Sequence, residues 1–237
     1  MTGSNLPWLL LTGRERFWNQ AQQQSFKWRE LLPLCGFIVL ACAVYGAAMA
    51  GWRSPLLCLY VAIKLPLLFL GATALVAVFN WMTATLLGAR LTFQTSLFIT
   101  FSAMVISGWI LLGLAPIALF FLFSGVPSDG LPDEVRLAHN CQLVTHIFIL
   151  AVAGAAGNAA LLRGLRRSVP ARCPVGLVFA VWLAAFAFVG CQLSWILRPF
   201  VGSPFYPVVF MRPDCLDRNF YEFVFNEVLP FMLTGAK

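Results

Sequence analysis

From Leu91 to Ser128 the chain runs 38 residues without an aspartate, glutamate, lysine or arginine. A helix needs ~20 apolar residues to cross ~30 Å of hydrocarbon. The run is therefore long for one straight span and short for two joined by a turn. We read it as one span, about Thr95–Phe121, kinked near Pro116, whose ring removes a backbone hydrogen bond. A re-entrant pair is the alternative. Four further charge-poor runs suit spans: Leu31–Trp52, Leu65–Ala89, Leu137–Leu162 and Cys173–Leu197. The first has 22 residues, longer than the roughly 7–15 of a secretory signal's apolar region, and is read as a retained span.

Five spans predict an all-α polytopic transmembrane bundle. Residues 1–33 would form an N-terminal cytoplasmic or interfacial segment, 34–197 the bundle, and 198–237 an extracytoplasmic tail. Composition excludes an ordinary soluble domain. The chain is 60% hydrophobic and 11% charged, against about 45–50% and about 25% in soluble domains. With a mean hydropathy of +0.84, the lipid bilayer is its solvent and first partner. The net charge of +7 follows from basic residues flanking the spans. No basic stripe interleaved with aromatics occurs, so no nucleic-acid partner is expected.

Loop charge sets the expected orientation. With the N-terminus inside, the inner segments carry Arg14, Arg16, Lys27, Arg29, Arg90, Arg163, Arg166, Arg167 and Arg172, whereas the short outer loops hold Arg53 and Arg136. That is the positive-inside bias. Five spans then place the tail outside. Leu6–Leu32, with Trp8, Phe17, Trp18, Phe26 and Trp28 among basic residues, reads as an interfacial amphipathic helix on the cytoplasmic leaflet. The tail begins with Pro199, Pro204, Pro207 and Pro213, which exclude helix, and then offers a helix over Asn219–Leu229. Pro55–Ile63 reads as a short interfacial helix that turns into the second span at Lys64-Leu65-Pro66. The alternative extends that span outward, with Lys64 snorkelling to the headgroups.

Signals for chemistry are sparse. His139 and His146 lie seven apart, too far for the i, i+4 pairing of a two-histidine metal site. His146 is a candidate axial ligand for a haem or chlorophyll-type pigment, weighed against a histidine hydrogen-bonded to a neighbouring helix. No CxxC pair occurs among seven cysteines, but Cys141 and Cys215 both fall on the expected outer side, where a disulfide could persist. No nucleophile–base pair, phosphate-binding glycine loop or metal-ligand spacing occurs, and the spans hold no acid. No enzyme activity, cofactor or metal is therefore expected. Ala151, Ala155 and Ala159 share one face of the fourth span, and Gly46 and Ala50 repeat the pattern in the first. Such faces let helix backbones approach closely. Packing within the bundle is the reading preferred here over contact with other subunits.

The strings YGAAMAG (Tyr45–Gly51), IKLPLLFLGA (Ile63–Ala72), LAPIALFF (Leu114–Phe121) and QLSWILRPFVGSP (Gln192–Pro204) occur in one order, after an N-terminal LLTGRERFW. Together they resemble a group of bacterial five-span proteins similar in layout to the Yip (Ypt-interacting protein) family. The resemblance covers most of the chain and implies a multi-pass protein of the bacterial inner membrane. Its eukaryotic relatives are linked to membrane shaping and trafficking partners. No catalytic or cofactor residue carries over. The matching residues Arg198, Pro199, Phe200, Gly202, Ser203 and Pro204 are the candidates for a special element, a corner that folds the tail back over the outer surface. The function expected is that of a non-enzymatic accessory subunit or organiser, bound to other membrane protein subunits. Its host could be an energy-converting or light-harvesting complex. A small-solute transporter or channel component is the alternative.

Overall fold

The computed structural model describes residues 6–12, 19, 27–124, 132–203 and 206–234. Of these, 82% are helical and none lies in a strand. Five helices are long and apolar enough to cross a membrane: α2 (Leu31–Ala50), α3 (Pro55–Leu86), α4 (Phe93–Ser124), α5 (Pro132–Ser168) and α6 (Val175–Leu197). A short α1 (Leu6–Thr12) precedes them. The tail ends in α7 (Phe220–Phe223), a π turn (Val224–Val228) and α8 (Leu229–Thr234).

The second span starts earlier than its charge-free run. Ser54 Oγ accepts the Leu57 N–H at 3.1 Å, and Pro55 takes the first helical position, where its missing N–H costs nothing. The helix then continues through Pro66, so the interfacial turn expected at Lys64-Leu65-Pro66 does not form. Lys64 does not snorkel either. It is wholly buried, and its Nζ donates to Pro199 O at 2.9 Å. A polar end satisfied inside the protein need not reach the headgroups.

The other boundaries have local causes. The α3–α4 turn closes as a Schellman motif: Ala89 N–H bonds Ala84 O, Gly88 N–H bonds Thr85 O, and Gly88 has φ +84°. Between Phe93 and Ser124, α4 is one helix with Pro116 inside it, so the re-entrant pair is not formed there. Extending beyond Leu137–Leu162 at both ends, α5 carries Asp133 and Glu134 in its first turn and Arg166 and Arg167 in its last, a placement the helix dipole favours. The tail has no helix over 198–203 and 206–219, as its prolines require. Asn219 then starts α7 with a capping box, its side chain and that of Glu222 each accepting the other's backbone N–H. The helical run reaches residue 234, past the expected Leu229.

Within the bundle α2 packs on α3 and α4, α4 on α5, and α3 on α6. Two crossings need glycine. A Cβ on Gly46 of α2 would sit 2.7 Å from the backbone oxygen of Val61 on α3. One on Gly157 of α5 would overlap Ser107 and lie 3.0 Å from Ala103 O on α4. Ser107 Oγ also donates across that crossing to Ala153 O at 2.9 Å. The Gly46–Ala50 face is thus packing within the bundle, as expected.

The N-terminal segment departs from expectation. Within Leu6–Leu32, α1 is a seven-residue helix without charge, not an amphipathic one. It docks against α2 and α4, with Leu10 buried, Trp8 edge-on to Trp109 and Trp109 Nε1 donating to Pro7 O at 3.1 Å. Trp109 stands near the middle of α4. Residues 13–18 and 20–26 of the expected interfacial helix lie outside the described residues.

The Gly46 crossing is directly testable. Gly46→Ala should destabilise the protein by about 1–3 kcal/mol, because backbone must move. Gly36→Ala, whose Cβ would meet nothing within 4 Å, should leave stability unchanged or slightly raised. Thermal unfolding in detergent compares them, and equal midpoints would refute the close-approach account.

Candidate functional site: the tail corner and the helix faces

Residues 198–203 turn the chain from the end of α6 back over the α2–α3 turn. Three side chains from that turn and the start of α3 bond tail carbonyls at alternate positions. Lys64 Nζ takes Pro199 O, Trp52 Nε1 takes Val201 O at 3.0 Å, and Arg53 Nε takes Ser203 O at 3.0 Å. Gly202 is required between them. Its φ is +79°, and a Cβ there would lie 2.6 Å from Leu57 Cδ2. Phe210 closes over the lysine, its ring centre 5.1 Å from Nζ, and Tyr60 meets Phe210 edge-on. Phe200 packs against the main core.

Arg198 is engaged within the tail corner. Its guanidinium lies 3.5 Å from the Trp195 ring centre and pairs with Asp214 at 3.1 Å. Farther along, Trp195 Nε1 donates to Arg218 O, Phe220 N–H to Gln192 Oε1, and Tyr221 OH to Phe188 O. The tail is therefore splinted along α6. A cavity of about 290 Å³ remains under it, where Arg53 and Arg212 meet a mostly apolar wall. Five of the six corner candidates are built into this strap as structural contacts. Pro204 lies outside the described residues.

His146 is buried, with Nδ1 3.0 Å from the Tyr45 hydroxyl on α2. This is the neighbouring-helix hydrogen bond weighed against the pigment-ligand reading. Its Nε2 is buried without a partner. His139 is half-buried against the Trp52 ring. Cys141 is exposed and Cys215 buried, and both are free thiols, so no bridge joins the tail to α5 here. Cys173, between α5 and α6, donates to Leu87 O, and burial raises its thiol above the ordinary value. That disfavours the reactive thiolate.

The alanine face of α5 turns out otherwise than expected. Ala151, Ala155 and Ala159 are exposed, while Ala153, Gly157 and Ala160 of the same helix are buried. The internal contact goes to the second set because only it carries a glycine where α4 crosses closely. Sequence reading missed a similar face on α6, where Gly176, Ala180, Ala184 and Ala187 are exposed. Their spacing of four, four and three residues was the available signal. It also missed Asn80 of α3 and Asn158 of α5, which line a cavity among α3, α4, α5 and α6. Among the described residues no cluster of three or more His, Cys, Asp or Glu could hold a metal ion. The chain matches no protein-family model, no curated protein and no solved structure.

Removing the lysine tests the strap. Lys64→Met leaves Pro199 O without its donor and should cost about 1–3 kcal/mol. The loss should release the tail first, so trypsin should cut faster at Arg218 while the spans stay intact. Unchanged cleavage would show that the strap does not depend on this bond.

Proposed function

We propose that this integral membrane protein is a non-enzymatic accessory subunit or organiser, holding neighbouring membrane proteins through the outward faces of α5 and α6. The observation that carries this reading is the exposure of Ala151, Ala155 and Ala159 together with Gly176, Ala180, Ala184 and Ala187. In lipid, helices associate by close packing, and small residues allow the closest approach. On α6 only 11% of the apolar window is buried within the chain, against 39–44% on α2, α3 and α4. The ordered strap of the tail gives a second rigid surface. A place in a bacterial inner membrane, beside an energy-converting or light-harvesting complex, fits both the composition and the resemblance to Yip-like five-span proteins.

The end bearing Lys27, Arg29, Arg90, Arg163, Arg166, Arg167 and Arg172 would face the cytoplasm. With Cys141 replaced by serine, a cysteine placed at Lys237 should then react with an impermeant maleimide from outside intact spheroplasts. Labelling only after lysis would reverse the orientation.

Purification in mild detergent followed by mass spectrometry should recover partner subunits with the wild-type chain. Ala155→Leu and Ala184→Leu, both on exposed faces, should leave the fold intact and lower that recovery roughly tenfold, the effect of about 1.4 kcal/mol. A lone monomer, or recovery insensitive to both substitutions, would defeat the subunit reading. The rival, a small-solute transporter or channel component, draws on the amide-lined cavity. Solute flux in proteoliposomes would favour it.

A further inference from the structure

The cavity among α3, α4, α5 and α6 measures about 180 Å³. Its floor is buried and includes Asn80, Ser107 and Trp182, whereas Gly154 and Asn158 at its rim are half-buried and Leu183 is exposed. Leu183 lies within the apolar stretch of α6, where exposure means contact with lipid, so the cavity opens sideways there.

The polar groups of the floor are not equivalent. Ser107 Oγ is used on Ala153 O, and Trp182 Nε1 donates to the backbone oxygen of Asn80 at 2.7 Å. The Asn80 side chain is different. The residue is only 4% exposed, and its Oδ1 is buried with no hydrogen-bond partner. Leaving an amide oxygen unpaired is costly anywhere and more so within a bilayer, where no solvent can serve it. Asn158 brings a second amide to the rim. A mostly apolar cleft carrying a few polar groups is the usual composition of a small-molecule site.

Size narrows the occupant. A dry cavity of about 150 Å³ takes up a benzene ring, whereas one water needs only about 30 Å³. We propose that this cavity binds a membrane-dissolved amphiphile whose hydroxyl or N–H head donates to Asn80 Oδ1. The head sits beside Trp182, and the apolar body leaves past Leu183 into the bilayer. This site does not depend on the subunit reading.

The test uses the full chain in phosphatidylcholine nanodiscs and a dodecanol carrying a mid-chain diazirine. Irradiation should concentrate crosslinks on Leu183 and Asn158, several-fold above the lipid-facing Phe148 and Leu75. The same diazirine on dodecane, which lacks the hydroxyl, should show no such enrichment. Asn80→Leu should lower the enrichment roughly three- to tenfold, the weight of one hydrogen bond. Gly154→Leu should block the site, because its side chain starts in open space and fills the cleft. It also decides the matter if Asn80→Leu fails to fold. Equal labelling by alcohol and hydrocarbon would overturn the proposal. So would enrichment indifferent to both substitutions, or no enrichment of the alcohol at all, the result expected if the cavity holds only water.

Discussion

A primary amine held among transmembrane helices must find an acceptor or cost several kcal/mol. Lys64 finds it in the carbonyl of Pro199, and the tail end of the molecule depends on that bond. It draws the residues after α6 onto α3, where Trp52 and Arg53 fasten the carbonyls that follow. Phe210 covers the same amine. Backbone that a free linker would leave to water is satisfied by side chains instead. The same bond is why α3 can continue through Lys64 and Pro66 as one helix.

What could be read ahead of the fold was whatever one segment decides alone. Five charge-poor runs became five helices because a bilayer leaves an apolar run of that length few other options. The boundaries failed where a second segment or a terminal charge intervened. The partner of Lys64 lies 135 positions away, so no local pattern could show that the lysine is satisfied. The added turns of α5 were within reach, had Asp133, Glu134, Arg166 and Arg167 been taken as helix ends rather than loop charges. Spacing placed Ala151, Ala155 and Ala159 on one face but could not say which way it turned. Asn80 gave no signal at all, since a single amide in an apolar run has no partner spacing to betray it.

The small residues fall into two classes once their surroundings are known. At Gly46 and Gly157 an added Cβ would meet the backbone of the neighbouring helix, so these positions hold the bundle together. The alanines of α5 and α6 at 151, 155, 159, 180, 184 and 187 are exposed instead. Hydrocarbon solvates a leucine as well as a packed helix does, so burying apolar area is no drive for association in lipid. Shape is. A shallow face presented outward is where a second helix can approach, and the inward faces are already used.

How firmly α6 is held matters for both of its sides. A helix satisfies its own backbone and is stable in lipid with little burial, so its persistence says nothing about what fixes its position. Trp182 ties it to α3 in the middle. Beyond that point Leu193 lies against Gly71 of α3, and the tail adds bonds to Phe188, Gln192 and Trp195. Leu183, at the lateral mouth of the cavity, stands between these two sets of contacts. The position of α6 beside that mouth is therefore fixed by the Trp182–Asn80 bond on one side and by the Leu193 packing and the tail on the other. Asn80 belongs to both arrangements, its backbone oxygen fixing α6 and its side-chain oxygen buried without a partner beside the cavity.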